Sequence, residues 1–194
     1  MNYLEWKDRI LSELDVILAT FGIEQTETLV AELLRIHEQR GKVVGTGAGR
    51  MGYSLRSFIM RLNHLGISAY FWGDTYIPPM SKNDLLLIVS ASGKTSTVLH
   101  FLEQAIKKAA PFTVTVTGDE NSPMAALSNH IVKFRSVNGG LNSMDSMEKL
   151  NSSQPMTTLN EQAILLFFDI VVMRLIEIMN LNREDIHKKH FNLE

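Results

Sequence analysis

The sequence predicts a three-layer αβα sandwich built on a five-stranded parallel sheet of flavodoxin-like order, with additional helices at both ends. Three observations carry that expectation. From Lys42 onward, short apolar stretches alternate with amphipathic ones. The apolar stretches are continuous rather than alternating, as in strands covered on both faces. Glycines and hydroxyl residues collect where a strand gives way to a helix.

The first 40 residues read as two amphipathic helices. Leu4, Ile10, Leu11, Leu14 and Ile17 fall at helical spacing in the first, and Leu29, Val30, Leu33, Leu34 and His37 in the second. Phe21-Gly22 breaks them apart. "KVVGTG" is then a strand and "RMGYSLRSFIMRLNHL" a helix; "ISAYFW" and "DLLLIVS" are the next two strands. "TSTVLHFLEQAIKKAA" is a helix, "FTVTVTG" a fourth strand, Pro123 opens a short helix, and "HIVKF" is a fifth strand. Residues 136–153 are polar and aperiodic, which suits a long surface loop. A long helix from about Met156 to Met179 and a short one around Arg183–His190 complete the chain. The whole of 1–194 reads as a single domain: N-terminal helices over 1–40, an α/β core over 41–135, a loop over 136–155 and C-terminal helices over 156–194. "ILLFFDIVVMRLIEIM" is apolar around most of its circumference, so part of that helix is expected in a subunit interface.

Composition narrows the class. Apolar residues make up 45% and charged residues 21%, ordinary for a globular protein. A net charge of -2 gives no reason to expect nucleic acid or a membrane surface as partner. With no cysteine, disulfides and thiolate metal sites are excluded, and a reducing cytoplasm is the simplest expectation. The charged N-terminus is not a signal peptide, and "AILLFFDIVVM" is shorter than the ~18 residues a membrane span needs.

The chemistry concentrates in "IVSASGKTS", residues 88–96. Ligands of parallel α/β sheets bind beyond the carboxyl ends of the strands, and a helix N-terminus there offers unpaired N–H groups and partial positive charge. Ser90, Ser92 and Thr95 each carry a hydroxyl donor, and Gly93 lets the backbone come close. A lone Ser92 or Thr95 would be read as a helix cap. Three hydroxyls in S-x-S-G-x-T favour an anion site, and a phosphate suits it. "GTGAGRMG", residues 45–52, forms a second glycine cluster and contains G-x-G-x-x-G at Gly47, Gly49 and Gly52. The acidic residue of a dinucleotide site is missing from the end of the next strand, because Asp74, roughly 20 residues further on, follows Gly73 in a loop. Two phosphate-friendly loops fit one phosphorylated ligand at least as well as a dinucleotide.

Taken in order, "GTGAGRMG", "MRLNHLG", "DLLLIVSASGKT", "QPMTTLNEQ" and "KKHFNLE" resemble a sugar isomerase (SIS) domain and, within that family, the 6-phospho-3-hexuloisomerases of the ribulose monophosphate pathway. The resemblance runs from about Val43 to the last residue. It implies interconversion of D-arabino-hex-3-ulose 6-phosphate and D-fructose 6-phosphate through a cis-enediol. It implies a phosphate held by Ser90, Ala91, Ser92, Gly93, Lys94 and Thr95, with the hydroxyls of Ser90, Ser92 and Thr95 as main donors. Arg50 matches the family's G-x-G-R position beside the ligand. Glu161 matches its catalytic carboxylate, and His190 the histidine that reaches an active site formed between subunits of a homotetramer. No cofactor and no metal are implied.

These residue types suit the chemistry. A carboxylate in a partly buried setting can take a proton from carbon and return it to the neighbouring carbon, and a histidine can shuttle hydroxyl protons or assist ring opening. Alone, a glutamate in a helix's first turn is a dipole partner and a histidine in "IHKKH" is solvated; the resemblance gives Glu161 and His190 their roles. His64 matches a family position too, where a packing role is expected. The chain departs from the family at Met51, which replaces a serine, at Thr157, which replaces a glycine, and at Asn160, which replaces an aromatic. The alternatives left are another SIS phosphosugar isomerase or a non-catalytic sugar-phosphate-binding SIS protein. Against a transcriptional sensor, the 40 N-terminal residues are too few for a helix-turn-helix domain plus linker.

Overall fold

The computed structural model describes residues 2–137, 150–190 and 192–193. Two helices, α1 (Tyr3–Leu18) and α2 (Ile23–Glu38), precede β1 (Val43–Gly47), α3 (Gly49–Leu65), β2 (Ala69–Phe71), β3 (Leu85–Val89), α4 (Ser96–Ala109), β4 (Phe112–Thr117), α5 (Pro123–Leu127) and β5 (His130–Lys133). Beyond the undescribed segment come α6 (Thr158–Ile178) and α7 (Arg183–His187). The strands pair in parallel in the order β2-β1-β3-β4-β5. The expected flavodoxin-like sheet is therefore present. The chain leaves β1 toward one edge and β3 toward the other, so the strand order reverses between these two neighbours, where a crevice opens in such sheets.

Side-chain alternation along the strands builds the three layers. Leu85, Leu87, Val89, Val114 and Val116 join the core beneath α1, α2, α3 and α6. Leu86 and Ile88 point the other way, into a smaller core with Val98 and Leu102 of α4 and Met124 of α5. In β4 the smaller-core face carries buried threonines whose hydroxyls are bonded: Thr113 Oγ1 donates to Asn129 Oδ1 at 2.9 Å, and Thr115 and Ser128 share a hydroxyl hydrogen bond of 2.6 Å. Phe58 of α3 stacks on Phe168 of α6 with ring centroids 4.2 Å apart, docking the two helices that carry the proposed Arg50 and Glu161.

Local signals explain most helix ends. Asn2 and Glu5 form a capping box on α1. Gly66, at φ +91, ends α3 in the left-handed conformation. Ser122 caps α5, with Pro123 at its first position.

Some expectations are corrected. Leu4 and Leu11 are exposed, because only the later turns of α1, through Leu14 and Ile17, reach the core. The second strand is confined to Ala69–Phe71, with Asp74 accepting from the Phe71 N–H and turning the chain away. The long helix starts at Thr158, since Met156 adopts φ +54 in the turn before it. The last helix stops at His187 rather than continuing to His190. Most of the expected polar loop, 138–149, lies outside the described residues. Its described ends are packed rather than loose: Ser136 and Val137 are buried, and Leu150 N–H donates to Ser136 O at 3.0 Å. Among the described residues no helix is long and apolar enough to cross a membrane.

Candidate active site

The loops that follow β1 and β3 meet at the reversal of strand order and line a cavity of about 560 Å³, together with Asp119, Ser136 and the start of α6. That size suits a small metabolite.

The loop after β3 is folded around its own hydroxyls. Ser90 is buried; its N–H donates to Val116 O, and its Oγ accepts from Gly93 N–H at 3.1 Å. Ser90 Oγ lies 3.3 Å from Thr95 Oγ1, and Ser92 Oγ accepts from Lys94 N–H at 3.3 Å. Gly93 sits at φ +60, and a Cβ there would collide with Ser122 Oγ, so this turn needs glycine. Thr95 is the N-cap residue of α4, yet its side chain makes no capping bond. Capping is thus not what the Thr95 hydroxyl does, and α4 opens on the cavity without a capping bond from its N-cap side chain. Lys94 and Ala91 also line the cavity, and the Lys94 ammonium pairs with Asp119 at 2.9 Å on its rim.

The loop after β1 lines the same cavity with Ala48, Gly49 and Arg50, and it also packs α3 against its own strand. A Cβ at Gly52 would stand 2.5 Å from Gly47 O, so glycine here lets α3 close against β1. Asp74 is taken up by a 2.8 Å ion pair with Arg56 and by the Phe71 N–H, a turn role that gives a dinucleotide ribose nothing. Arg50, on the first turn of α3, reaches across to Glu161, with Nε 2.5 Å from Oε2.

Glu161 lies in the cavity wall with its side chain 13% exposed. Thr157 Oγ1 donates to its Oε1 at 3.0 Å, and Ser54 of α3 donates to its backbone carbonyl at 2.8 Å. Oε2 is buried and takes no well-aligned hydrogen bond among the described residues; the Arg50 contact is close in distance but not hydrogen-bond geometry. Asn160 is fully buried, and its Oδ1 accepts from Val137 N–H at 2.9 Å, tying the edge of the undescribed segment to α6. Met51, at another departure from the family pattern, is buried in the core as well as bordering the cavity.

His190 is not brought to this cavity within the chain. Its ring packs 5.2 Å from that of His64, near the opposite end of α3 from Arg50 and roughly 20 Å along the helix at 1.5 Å per residue. His64 is buried there, 3.4 Å from Arg61 Nη1, and burial, then Arg61 and His190, hold its imidazole below its usual pKa. Its expected packing role agrees with this position. The described residues contain no group of three or more His, Cys, Asp or Glu side chains placed to hold a metal ion.

In the sequence, Thr157 and Asn160 stand out only as departures from the family pattern. The four-residue step from Thr157 to Glu161 was the available signal for their contact. Ser54, Asp119 and Ser136 had no such signal, because tertiary packing alone brings them in.

The SIS domain pattern matches residues 51–165, from the first turn of α3 into α6. The chain belongs to the SIS domain family. The SIS domain here is 31% identical to a Bacillus subtilis (strain 168) protein named 3-hexulose-6-phosphate isomerase, over 100% of both chains. It is 35% identical to a protein of that name from Mycobacterium gastri, over 85% of this chain and 80% of the relative. Among solved structures it superimposes with a TM-score of 0.79 on a Methanococcus jannaschii protein for which a molecular function of 3-hexulose-6-phosphate isomerase was inferred, at 26% identity over 98% and 99% of the two chains.

Proposed function

We propose that this SIS domain is a 6-phospho-3-hexuloisomerase, interconverting D-arabino-hex-3-ulose 6-phosphate and D-fructose 6-phosphate. The observation that carries the reading is the placement of one carboxylate, Glu161, in the wall of the cavity that the Ser90–Thr95 loop opens onto. The relatives' shared name supports the choice of sugar.

The phosphate binds at the N-terminus of α4, taking hydrogen bonds from backbone N–H groups and from the hydroxyls of Ser90, Ser92 and Thr95. This places the sugar carbons toward Glu161. The Glu161 carboxylate removes the proton from C2 of the 3-hexulose, leaving a 2,3-enediol, and returns it to C3. The hydroxyl proton passes from O2 to O3, so the carbonyl ends at C2 and the atoms balance. We assign that relay, or ring opening, to His190 of a second copy of the chain, since the residue is remote from the cavity of its own chain. A homotetramer with sites between subunits fits the exposed apolar residues Leu165, Leu166, Ile170 and Met173 of α6. A cytoplasmic location suits a cysteine-free chain acting on a phosphorylated metabolite.

The test is a coupled assay in which hexulose-phosphate synthase makes the 3-hexulose from ribulose 5-phosphate and formaldehyde, and fructose 6-phosphate is read out. Wild type should turn over, and Glu161→Gln should fall to background while fructose 6-phosphate still raises its melting temperature. Full turnover by Glu161→Gln would remove Glu161 as the base.

A further inference from the structure

Glu161 is engaged in this structure. Its Oε1 is occupied by the Thr157 hydroxyl and its Oε2 by the Arg50 guanidinium. A carboxylate with a hydroxyl on one oxygen and a guanidinium against the other has neither oxygen open to a carbon-bound proton. Arg50, however, is the loosely held partner: its side chain is 61% exposed, against 13% for Glu161. An ion pair with one such partner is screened and is easily exchanged for another anion. Arg50 also lines the cavity that Ser90, Ser92 and Thr95 line. A phosphate dianion seated at the N-terminus of α4 therefore competes for the same guanidinium, and it offers the paired oxygens that a guanidinium fork fits.

We propose that Arg50 is a specificity-determining latch: it occupies Glu161 until the substrate's phosphate draws it away, so that proton abstraction is confined to phosphorylated sugars. The inference rests on Glu161 acting as the base. An unphosphorylated ketose fits the cavity but leaves Arg50 on Oε2. Binding energy from the phosphate, remote from the reacting carbons, is thus converted into a free base at the point of reaction.

The experiment separates substrate from phosphate. Wild-type protein is incubated in deuterium oxide with D-fructose, with and without sodium phosphite, and deuterium at C3 is followed by NMR; fructose 6-phosphate serves as the whole substrate. Phosphite should accelerate exchange into fructose by about tenfold or more. Arg50→Ala should exchange fructose faster than wild type in the absence of phosphite, gain nothing from phosphite, and show a raised KM for fructose 6-phosphate. Arg50→Lys, which keeps a cation beside Glu161, should remain repressed without phosphite. Phosphite without effect on the wild type, or slower fructose exchange by Arg50→Ala, overturns the latch. Exchange into fructose 6-phosphate with no phosphite effect would discard the latch and keep the isomerase; no exchange into fructose 6-phosphate would discard both.

Discussion

The hydroxyl of Thr157 is turned away from the backbone it would normally cap and onto Glu161, donating to Oε1 at 3.0 Å. Thr157 holds the N-cap position of α6, where a threonine ordinarily accepts from a backbone N–H. Here the residue serves the carboxylate instead. With Ser54 fixing the Glu161 carbonyl, the candidate base is held at both its backbone and its side chain.

Thr157→Val keeps the volume and removes the donor. A hydrogen bond to a charged group contributes about 1.5–3 kcal/mol, so kcat should fall by roughly one to two powers of ten. KM should change little, because Thr157 is not part of the phosphate loop. Steady-state kinetics in the coupled assay reads both constants. An unchanged kcat would leave the Thr157 contact without a part in catalysis.

Gly93→Ala tests the phosphate loop. The new Cβ meets Ser122 Oγ, and alanine disfavours φ +60. A cost of about 2 kcal/mol in stability is expected, along with displacement of the Ser90 contact that Gly93 N–H makes. KM for the sugar phosphate should rise more than kcat falls. Chemical denaturation beside kinetics separates these effects; a stable variant with wild-type KM would show that the turn geometry is immaterial to binding.

The sheet was legible because β3 is a run of five apolar residues and the strands alternate with amphipathic helices. The Ser90–Thr95 loop was legible for a local reason, its hydroxyls and glycine lying within six residues of sequence. The surroundings of Glu161 were not. Ser54 and Arg50 reach it only because α3 docks against α6 through Phe58 and Phe168, a contact between segments over 100 residues apart. His190 could be picked out by its resemblance, but nothing local told that its ring would sit beside His64. The outward-facing Leu4 and Leu11 misled for the same reason: helical spacing defines a face without saying how much of it finds a partner.

Acid should loosen the segment that leads into the site. The Glu13 carboxylate of α1 accepts from Ser152 Oγ at 2.6 Å, from Ser153 N–H at 2.9 Å and Oγ at 2.7 Å, and from Gln154 Nε2 at 3.3 Å. Burial alone would raise its pKa, but these bonds outweigh it and lower the value to about 2. Asp84 is also lowered: burial opposes this, and bonds from Lys42 and Ser81 overcome it. A carboxyl group with a depressed folded-state pKa contributes its stability above its unfolded value near 4.5 and loses it as pH falls toward 2. Glu13→Gln should therefore be less stable than wild type at pH 7, by up to about 3 kcal/mol. That gap should shrink as the pH is taken from 5 toward 2, where the folded wild-type carboxyl is about half protonated, and vanish below that. Urea unfolding at several pH values measures it, and a gap that stays constant would mean that the carboxylate's charge contributes nothing. Because Ser152–Gln154 run directly into Pro155 and Thr157, the same variant should also lower kcat at neutral pH, linking a helix outside the sheet to the placement of Glu161.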